Sequence, residues 1–357
     1  MPESGFAPAA DADLVVELET ELQRRLDDAR SRARAAGPGA EALWDDVRDA
    51  TLGGKRLRPR LLLATHRALG GTQDEAARQL ASAFELLHTA FCLHDDVIDR
   101  DTERHGRPTV SARYTAGARA AGASAGQAEA CGVAAGVLAG DLALTLAMRL
   151  VATAPVAPAT RERLLDLLDG VVQRSASGEL DDVLAVVEPA HARLTDVLRT
   201  ASRKTAEYTV VAPLVVGAEL AGASGGLVDL LRVAGRSLGV AFQLQDDVLG
   251  TFGDERLTGK SIRSDLAEGK VTALVVLARR TAAWPEVAAH LGDPSVTASD
   301  ARRVRSVLER AGVRAELEGL VRQYAEHGAG LLADPVVPPP LRAALEPYAR
   351  SVVARVR

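Results

Sequence analysis

Hydrophobic residues recur every three or four positions along most of the chain. In the stretch ADLVVELETELQRRLDDARSRARAA, Leu14, Leu18, Leu22 and Leu26 fall at intervals of four with charged residues between them. That spacing predicts an amphipathic helix. No stretch alternates apolar and polar residues as a half-buried strand would, and no strand–helix–strand rhythm is visible. Punctuation falls at GPG (37–39), GG (70–71), ATAPVAPAT (152–160), GASGG (222–226), GDPS (292–295) and DPVVPPP (334–340). None of these breaks reads as a linker between independent halves. The pattern predicts an all-α protein, one large helical domain over residues 11–357 behind a disordered first ten residues. Thr160 is expected to cap the helix after the ATAPVAPAT break. Residues 115–130, rich in Ala, Gly and Ser, are expected to form a mobile loop.

Composition narrows the class. The chain has 357 residues, 47% hydrophobic but only 3% aromatic, so its core must be built from Ala, Leu and Val. A formal net charge of −5 argues against a nucleic-acid partner, which calls for a basic field. Two cysteines, Cys92 and Cys131, are too few for a disulfide framework and suit a reducing, cytoplasmic setting. The N-terminus is acidic and does not read as a signal peptide. The longest apolar run, CGVAAGVLAGDLALTLAMRLVATA, is interrupted by Asp141 and several glycines. It predicts a buried bundle helix and no transmembrane segment.

Two acidic clusters stand out, each closing an apolar helix. The first, HDDVIDRD, places Asp95, Asp96, Asp99 and Asp101 after FELLHTAFCL. Read as one helix over 83–101, the sequence puts Asp95 and Asp99 one turn apart on one face, with Phe91, His88 and Phe84 below them, within about 40° of Asp95. Carboxylates at a helix C-terminus face the wrong end of the dipole, and crowded carboxylates repel. A hard cation such as Mg2+, which also binds phosphate oxygens, relieves both. A solvated acidic helix end is the plain alternative. The second cluster, FQLQDDVLGTFGD, brings Asp246 and Asp247, with Gln243 one turn before Asp246 and Gly250 one turn after it. Alone it could be a structural cap; two such clusters in one helical chain could meet around one cavity.

Cations accompany both clusters. GGKRLRP supplies Lys55, Arg56 and Arg58 on a glycine-rich turn, with Pro59 suited to the first turn of a helix. Clustered Lys and Arg favour phosphate, although the P-loop spacing is absent. Arg104 and Arg107 follow the first cluster, Lys204 sits in RKTAEYT, and Lys260 and Lys270 follow the second cluster. Each alone reads as solvated surface. Together with the carboxylates they imply a diphosphate held through Mg2+.

In this order GGKRLRP, ELLHTA, DDVID, KTAEYT, FQLQDD and QDDVLG resemble the motifs of the trans-isoprenyl diphosphate synthases (polyprenyl synthetases). The resemblance spans roughly residues 40 to 275. It implies a homodimer of the all-α isoprenoid synthase bundle with a central active-site cavity. By the resemblance, Asp95 and Asp99 hold two Mg2+ ions and Asp246 a third, with Asp96 and Asp247 completing the acidic motifs. Lys55, Arg58 and His88 would bind isopentenyl diphosphate. Arg104, Lys204, Thr205, Gln243, Lys260 and Lys270 would contact the allylic diphosphate. Two positions depart from the pattern. His105 stands where the family has a second arginine, so affinity for isopentenyl diphosphate would fall, or would depend on pH near the imidazole pKa. Gly250 stands where the second motif ends in Asp, a smaller departure, because the resemblance assigns metal to Asp246.

The implied reaction needs no side-chain nucleophile. An allylic diphosphate ionises, the isopentenyl double bond attacks in an apolar tunnel, and a proton leaves to the released diphosphate. Product length then depends on what blocks the tunnel. Phe91 lies roughly 6 Å along the helix axis from Asp95, and Ala90 beside it is small. By the resemblance this pair implies a short-chain product, geranylgeranyl diphosphate first and farnesyl diphosphate second, while Phe91 as a plain core residue stays open. A terpene cyclase would share the fold without needing GGKRLRP and His88. A non-catalytic subunit would fit the His105 and Gly250 departures, but not the intact first motif.

Overall fold

The computed structural model describes residues 10–187, 189–253 and 262–354. The expected disorder of residues 1–10 falls, but for Ala10, outside them, as does Lys260. The described chain is almost wholly α-helical, as the periodicity requires, and forms two compact units, Ala7–Leu168 and Asp169–Arg357.

The first unit contains α1 (Ala10–Ala33), α2 (Pro38–Thr51), α3 (Leu57–Ala68), α4 (Asp74–Ile98), α5 (Val110–Ala120), α6 (Ala125–Ala152) and the start of α7 (Pro158–Val187). Its core is aliphatic: Leu18, Leu22 and Leu26 of α1 are buried with Leu80, Phe84, Leu86 and Leu87 of α4. Burying each such side chain contributes about 1.5–3 kcal/mol. Three glycines one turn apart on α6 let neighbouring helices approach. A Cβ at Gly132 would strike Ser111 and Thr115, one at Gly136 Val97, and one at Gly140 the His94 ring. The face of α6 turned away exposes Val133, Val137 and Leu138. This helix is long and apolar enough to cross a membrane, but Asp141 lies within it, its Oδ1 3.3 Å from His94 Nε2.

The second unit contains the rest of α7, α8 (Leu194–Ala201), α9 (Ala212–Leu220), α10 (Gly225–Phe252), α11 (Ile262–Glu268), α12 (Ala273–Ala278), α13 (Trp284–Ala288), α14 (Ala298–Arg310), α15 (Val313–Leu332) and α16 (Pro339–Ala354). Helix α10 buries Leu231, Ala234, Leu238, Ala241 and Leu244 at intervals of three and four. Gly328 of α15 packs against Leu238, where a Cβ would lie 2.7 Å from Leu238 Cγ. Between α8 and α9, residues Ser202–Val211 form a π-helix.

Four local readings of the sequence need correction. Residues 115–130 are not a mobile loop: α5 and α6 cover most of them, and Ser124 starts α6 with a capping box to Gln127. Thr160 does not cap α7, which begins at Pro158 and closes its first turn with Arg161 N–H donating to Ala157 O at 3.0 Å. The first acidic helix runs from Asp74 to Ile98, with Asp99 as its cap. And strands do occur: Glu103–Arg104 (β1) pairs antiparallel with Arg107–Pro108 (β2), too short to leave an alternating signal.

Candidate active site

In the first unit the acidic end of α4 is shaped by its C-cap. Asp101 N–H donates to Asp96 O at 2.9 Å and Arg100 N–H to Val97 O at 3.3 Å. Arg100 takes the left-handed conformation, φ 57°. This is the Schellman arrangement, with a non-glycine residue at the position glycine usually fills. It turns the chain into β1 and β2, which are joined by His105 (φ 52°) and Gly106 (φ 74°). Positive φ at both central residues is the mark of the tight hairpin turn whose twist matches the strands. The turn folds Arg104 back over α4. Its Nε donates to Asp96 Oδ1 at 2.6 Å, and a terminal nitrogen lies 3.4 Å from Asp95 Oδ2 and 3.8 Å from Asp101 Oδ2.

The three aspartates of the motif are therefore not equivalent. Asp96 is 5% exposed and anchors Arg104. Burial pushes its carboxyl up to about 6, against the pull of the Arg104 guanidinium. Asp95 and Asp99 are half-buried and share the face that the helical wheel assigns them. Two carboxylates one turn apart, reachable from solvent, are the hard-oxygen donors that suit Mg2+.

Below them lies the expected column. Phe84 is fully buried, and His88 and Phe91 are half-buried. Ala90 is fully buried. Cys92 Sγ sits 3.4 Å from His88 Nδ1. Burial holds the His88 imidazole well below the usual histidine range, helped by positive charge on Arg58, Arg104, Arg56 and His105. His88 is thus a neutral ring in a cationic field. Cations of this kind are what an anion site requires. Arg58 is 8% exposed at the start of α3, while Lys55 is exposed on the preceding loop.

In the second unit α10 ends with the other carboxylates. Asp246 is exposed and Asp247 half-buried. Thr205 Oγ1 donates to Gln243 Oε1 at 2.8 Å, and Gln243 Nε2 donates to Asp247 Oδ1 at 3.0 Å. Burial pushes the Asp247 carboxyl up to about 7; Asp265, Asp246 and Asp182 add to this and the Gln243 hydrogen bond opposes it. Lys204 and Thr205 stand on the π-helix, a distortion frequent at functional sites. Two glycines make room for it: a Cβ at Gly178 of α7 would strike the Lys204 backbone, and one at Gly239 of α10 would lie 2.7 Å from Ala206 Cα. Lys204 Nζ is held by Glu179 at 2.9 Å and Asp182 at 2.8 Å. Lys270 Nζ pairs with Glu268 at 3.0 Å. An ideal Cβ at Gly250 would lie 3.6 Å from Asp265 Oδ2, so another carboxylate already stands near the departing position.

Sequence reasoning missed Glu179, Asp182 and Asp265. The acidic run GELDD (178–182) in mid-helix was the available signal for the first two. It also grouped Arg56 with the site cations; Arg56 is 2% exposed, and its Nε and one terminal nitrogen go to Glu19, Glu85 and Thr51 O.

An all-α chain with acidic helix ends, clustered guanidinium and ammonium groups and a half-buried imidazole carries the donors that a divalent cation and a diphosphate call for. Comparison with known proteins narrows this. The Polyprenyl synthetase profile matches residues 42–308, so the chain belongs to that family. It is a prenyltransferase of the short-chain type, and the family is Mg2+-dependent. It is 31% identical over 286 residues to the geranylfarnesyl diphosphate synthase of Aeropyrum pernix, covering 79% of this chain and 83% of that one. It is 32% identical over 274 residues to the geranylgeranyl diphosphate synthase of Mycobacterium tuberculosis, covering 75% of this chain and 72% of that one. The crystal structure of the Corynebacterium glutamicum geranylgeranyl pyrophosphate synthase, complexed with isoprenyl diphosphate and magnesium, matches 95% of this chain and 97% of its own with a TM-score of 0.87 at 30% identity.

Proposed function

We propose that this chain condenses isopentenyl diphosphate with an allylic diphosphate to make geranylgeranyl diphosphate. The observation that carries the reading is Arg104 folded back over the acidic end of α4, its Nε 2.6 Å from Asp96 Oδ1 and a terminal nitrogen 3.4 Å from Asp95 Oδ2, above the column of Phe91 and His88 on the same helix. Lys55, Arg58, His88 and His105 bind isopentenyl diphosphate. Arg104, Lys204, Thr205, Gln243, Lys260 and Lys270 bind the allylic diphosphate, Lys204 exchanging Glu179 and Asp182 for phosphate oxygens. Asp95 and Asp99 would hold two Mg2+ ions and Asp246 a third, and Mg2+ held there would supply positive charge to the departing diphosphate.

The chain's own residues do the rest. Arg104 and Lys204 place positive charge where the allylic carbon–oxygen bond breaks and its electron pair passes to diphosphate. His88, Arg58 and Lys55 hold the isopentenyl double bond in position to attack the allylic carbon, forming the new carbon–carbon bond. The proton lost in closing the new double bond goes to the released diphosphate. Phe91, Phe84 and Ala90 line the apolar face of α4 along which the chain grows, and keep water from the cation. Phe91 with Ala90 favours the geranylgeranyl product; the names of the relatives, which differ by one isoprene unit, support a short chain.

The protein works as one cytoplasmic domain and a homodimer. The apolar outward face of α6 (Val133, Val137, Leu138) supports the dimer. Sedimentation at micromolar concentration tests it.

The deciding experiment incubates the purified protein with Mg2+, radiolabelled isopentenyl diphosphate and each allylic diphosphate in turn, then sizes the extracted products. Labelled geranylgeranyl diphosphate that disappears in Asp95→Ala is the expected result. Label in farnesyl diphosphate alone corrects the product. Cyclic hydrocarbon formed without isopentenyl diphosphate, or no turnover with any starter, refutes the synthase reading.

A further inference from the structure

The loop between α2 and α3 and the first turn of α3 carry two of the proposed isopentenyl diphosphate ligands, Lys55 and Arg58, yet the most buried side chain of the loop, Arg56, turns its donors into the fold. Gly53 (φ 91°), Gly54 (φ 90°) and Arg56 (φ 51°) all take left-handed backbone conformations within four residues. For the glycines this is ordinary. A non-glycine residue stays there only when its surroundings fix it. The surroundings of Arg56 do so. Its Nε donates to Glu19 Oε1 of α1 at 2.6 Å, and one terminal nitrogen donates to both Glu85 Oε1 of α4 and the Thr51 carbonyl at the end of α2, each at 2.7 Å. The side chain is 1% exposed. Its charge is matched by two carboxylates and is not available to an anion.

We propose that Arg56 is the positioning residue of the isopentenyl diphosphate site: it clamps the loop to α1, α2 and α4 so that Lys55 and Arg58 are in place before the substrate arrives. This rests on the reading of Lys55 and Arg58 given above. The two flanking cations differ from each other in environment. Lys55 is exposed, and Arg58 is buried at the start of α3. A loop of glycines without the clamp would have to be ordered by the ligand, which weakens binding. Because Glu19 lies on α1, the N-terminal helix takes part in the affinity of a site it does not touch.

The test uses Arg56→Lys, which keeps one charge and loses the fork, and Glu19→Gln, which weakens one arm of the clamp without removing the arginine. KM for isopentenyl diphosphate, KM for the allylic substrate, kcat and Tm are measured, together with hydrogen exchange of residues 52–57 in the ligand-free protein. Arg56→Lys is expected to raise KM for isopentenyl diphosphate about ten-fold, leave the allylic KM and kcat within about two-fold, and speed exchange in the loop while α4 stays protected. Glu19→Gln moves the same quantities in the same direction by less. Unchanged loop exchange, or KM values for the two substrates that rise together with a fall in Tm, overturns the proposal and leaves the synthase reading standing. Absence of isopentenyl-dependent turnover in the unaltered protein removes that reading and this one with it, whatever the exchange shows.

Discussion

Asp247→Asn should make the metal-free protein more stable and less active. In the folded chain the Asp247 carboxyl is pushed up to about 7 from its ordinary 3.8, first by burial. At pH 8 it is ionised in both the folded and unfolded states, so the folded state alone carries the burden of the half-buried charge. The gap between the two values corresponds to ~4 kcal/mol if none of it is screened. Solvent reaches this side chain, so ~2 kcal/mol is the expected effect. Asparagine removes the charge and keeps an oxygen to accept from Gln243 Nε2, now 3.0 Å from Asp247 Oδ1. The sign with pH is opposite to that of a salt-bridged aspartate. As pH falls through about 7 the folded wild type takes up a proton that the unfolded chain does not bind until pH is near 4, so wild-type stability rises relative to the variant. Urea unfolding at pH 8 and pH 5, with a chelator present, measures this. The variant should lead by ~2 kcal/mol at pH 8 and lose most of that lead at pH 5. A variant equal to wild type at pH 8, or a lead that does not change with pH, would refute the reasoning.

His105→Arg should lower the KM for isopentenyl diphosphate about ten-fold at pH 8, where an imidazole is neutral and a guanidinium is not, and flatten its pH dependence between pH 6 and 8; this is the scale of one charged hydrogen bond. An unchanged KM would place His105 outside the site. Phe91→Ala should lengthen the product by at least one isoprene unit on chromatography of the dephosphorylated alcohols, since the ring sits one helical turn below Asp95; the same product distribution would make Phe91 a core residue only. The two thiols should differ sharply toward iodoacetamide at pH 8. Cys131 is exposed, whereas burial pushes the Cys92 thiol up to about 11, so mass spectrometry should find Cys131 modified first; labelling of Cys92 at an equal rate would contradict the burial at the α4 column.

What the sequence made legible follows from what is local. A helical wheel on residues 83–101 needs only the 100° step, so the column of Asp95, Asp99, Phe91 and His88 could be written down before any coordinates. The same wheel sets Asp96 about 100° from Asp95, and that difference already separates the buried anchor of Arg104 from the two accessible carboxylates. Nothing local announces the π-helix at Ser202–Val211, because its room comes from Gly178 and Gly239, which lie 26 and 33 residues from the Lys204 and Ala206 they face. The hairpin at His105 and Gly106 has too few residues for any period; only the two positive φ values define it. Arg56 is the sharpest case. In sequence it is one more cation in GGKRLRP, set apart from Lys55 and Arg58 only by the resemblance, which gives it no role. Its role depends on Glu19 and Glu85, 37 and 29 residues away, which turn a charge that looks outward in the motif into one that is buried and matched. Charge type is written in the sequence; whether a charge faces the ligand or holds the residues that do is decided by partners that only the fold brings together.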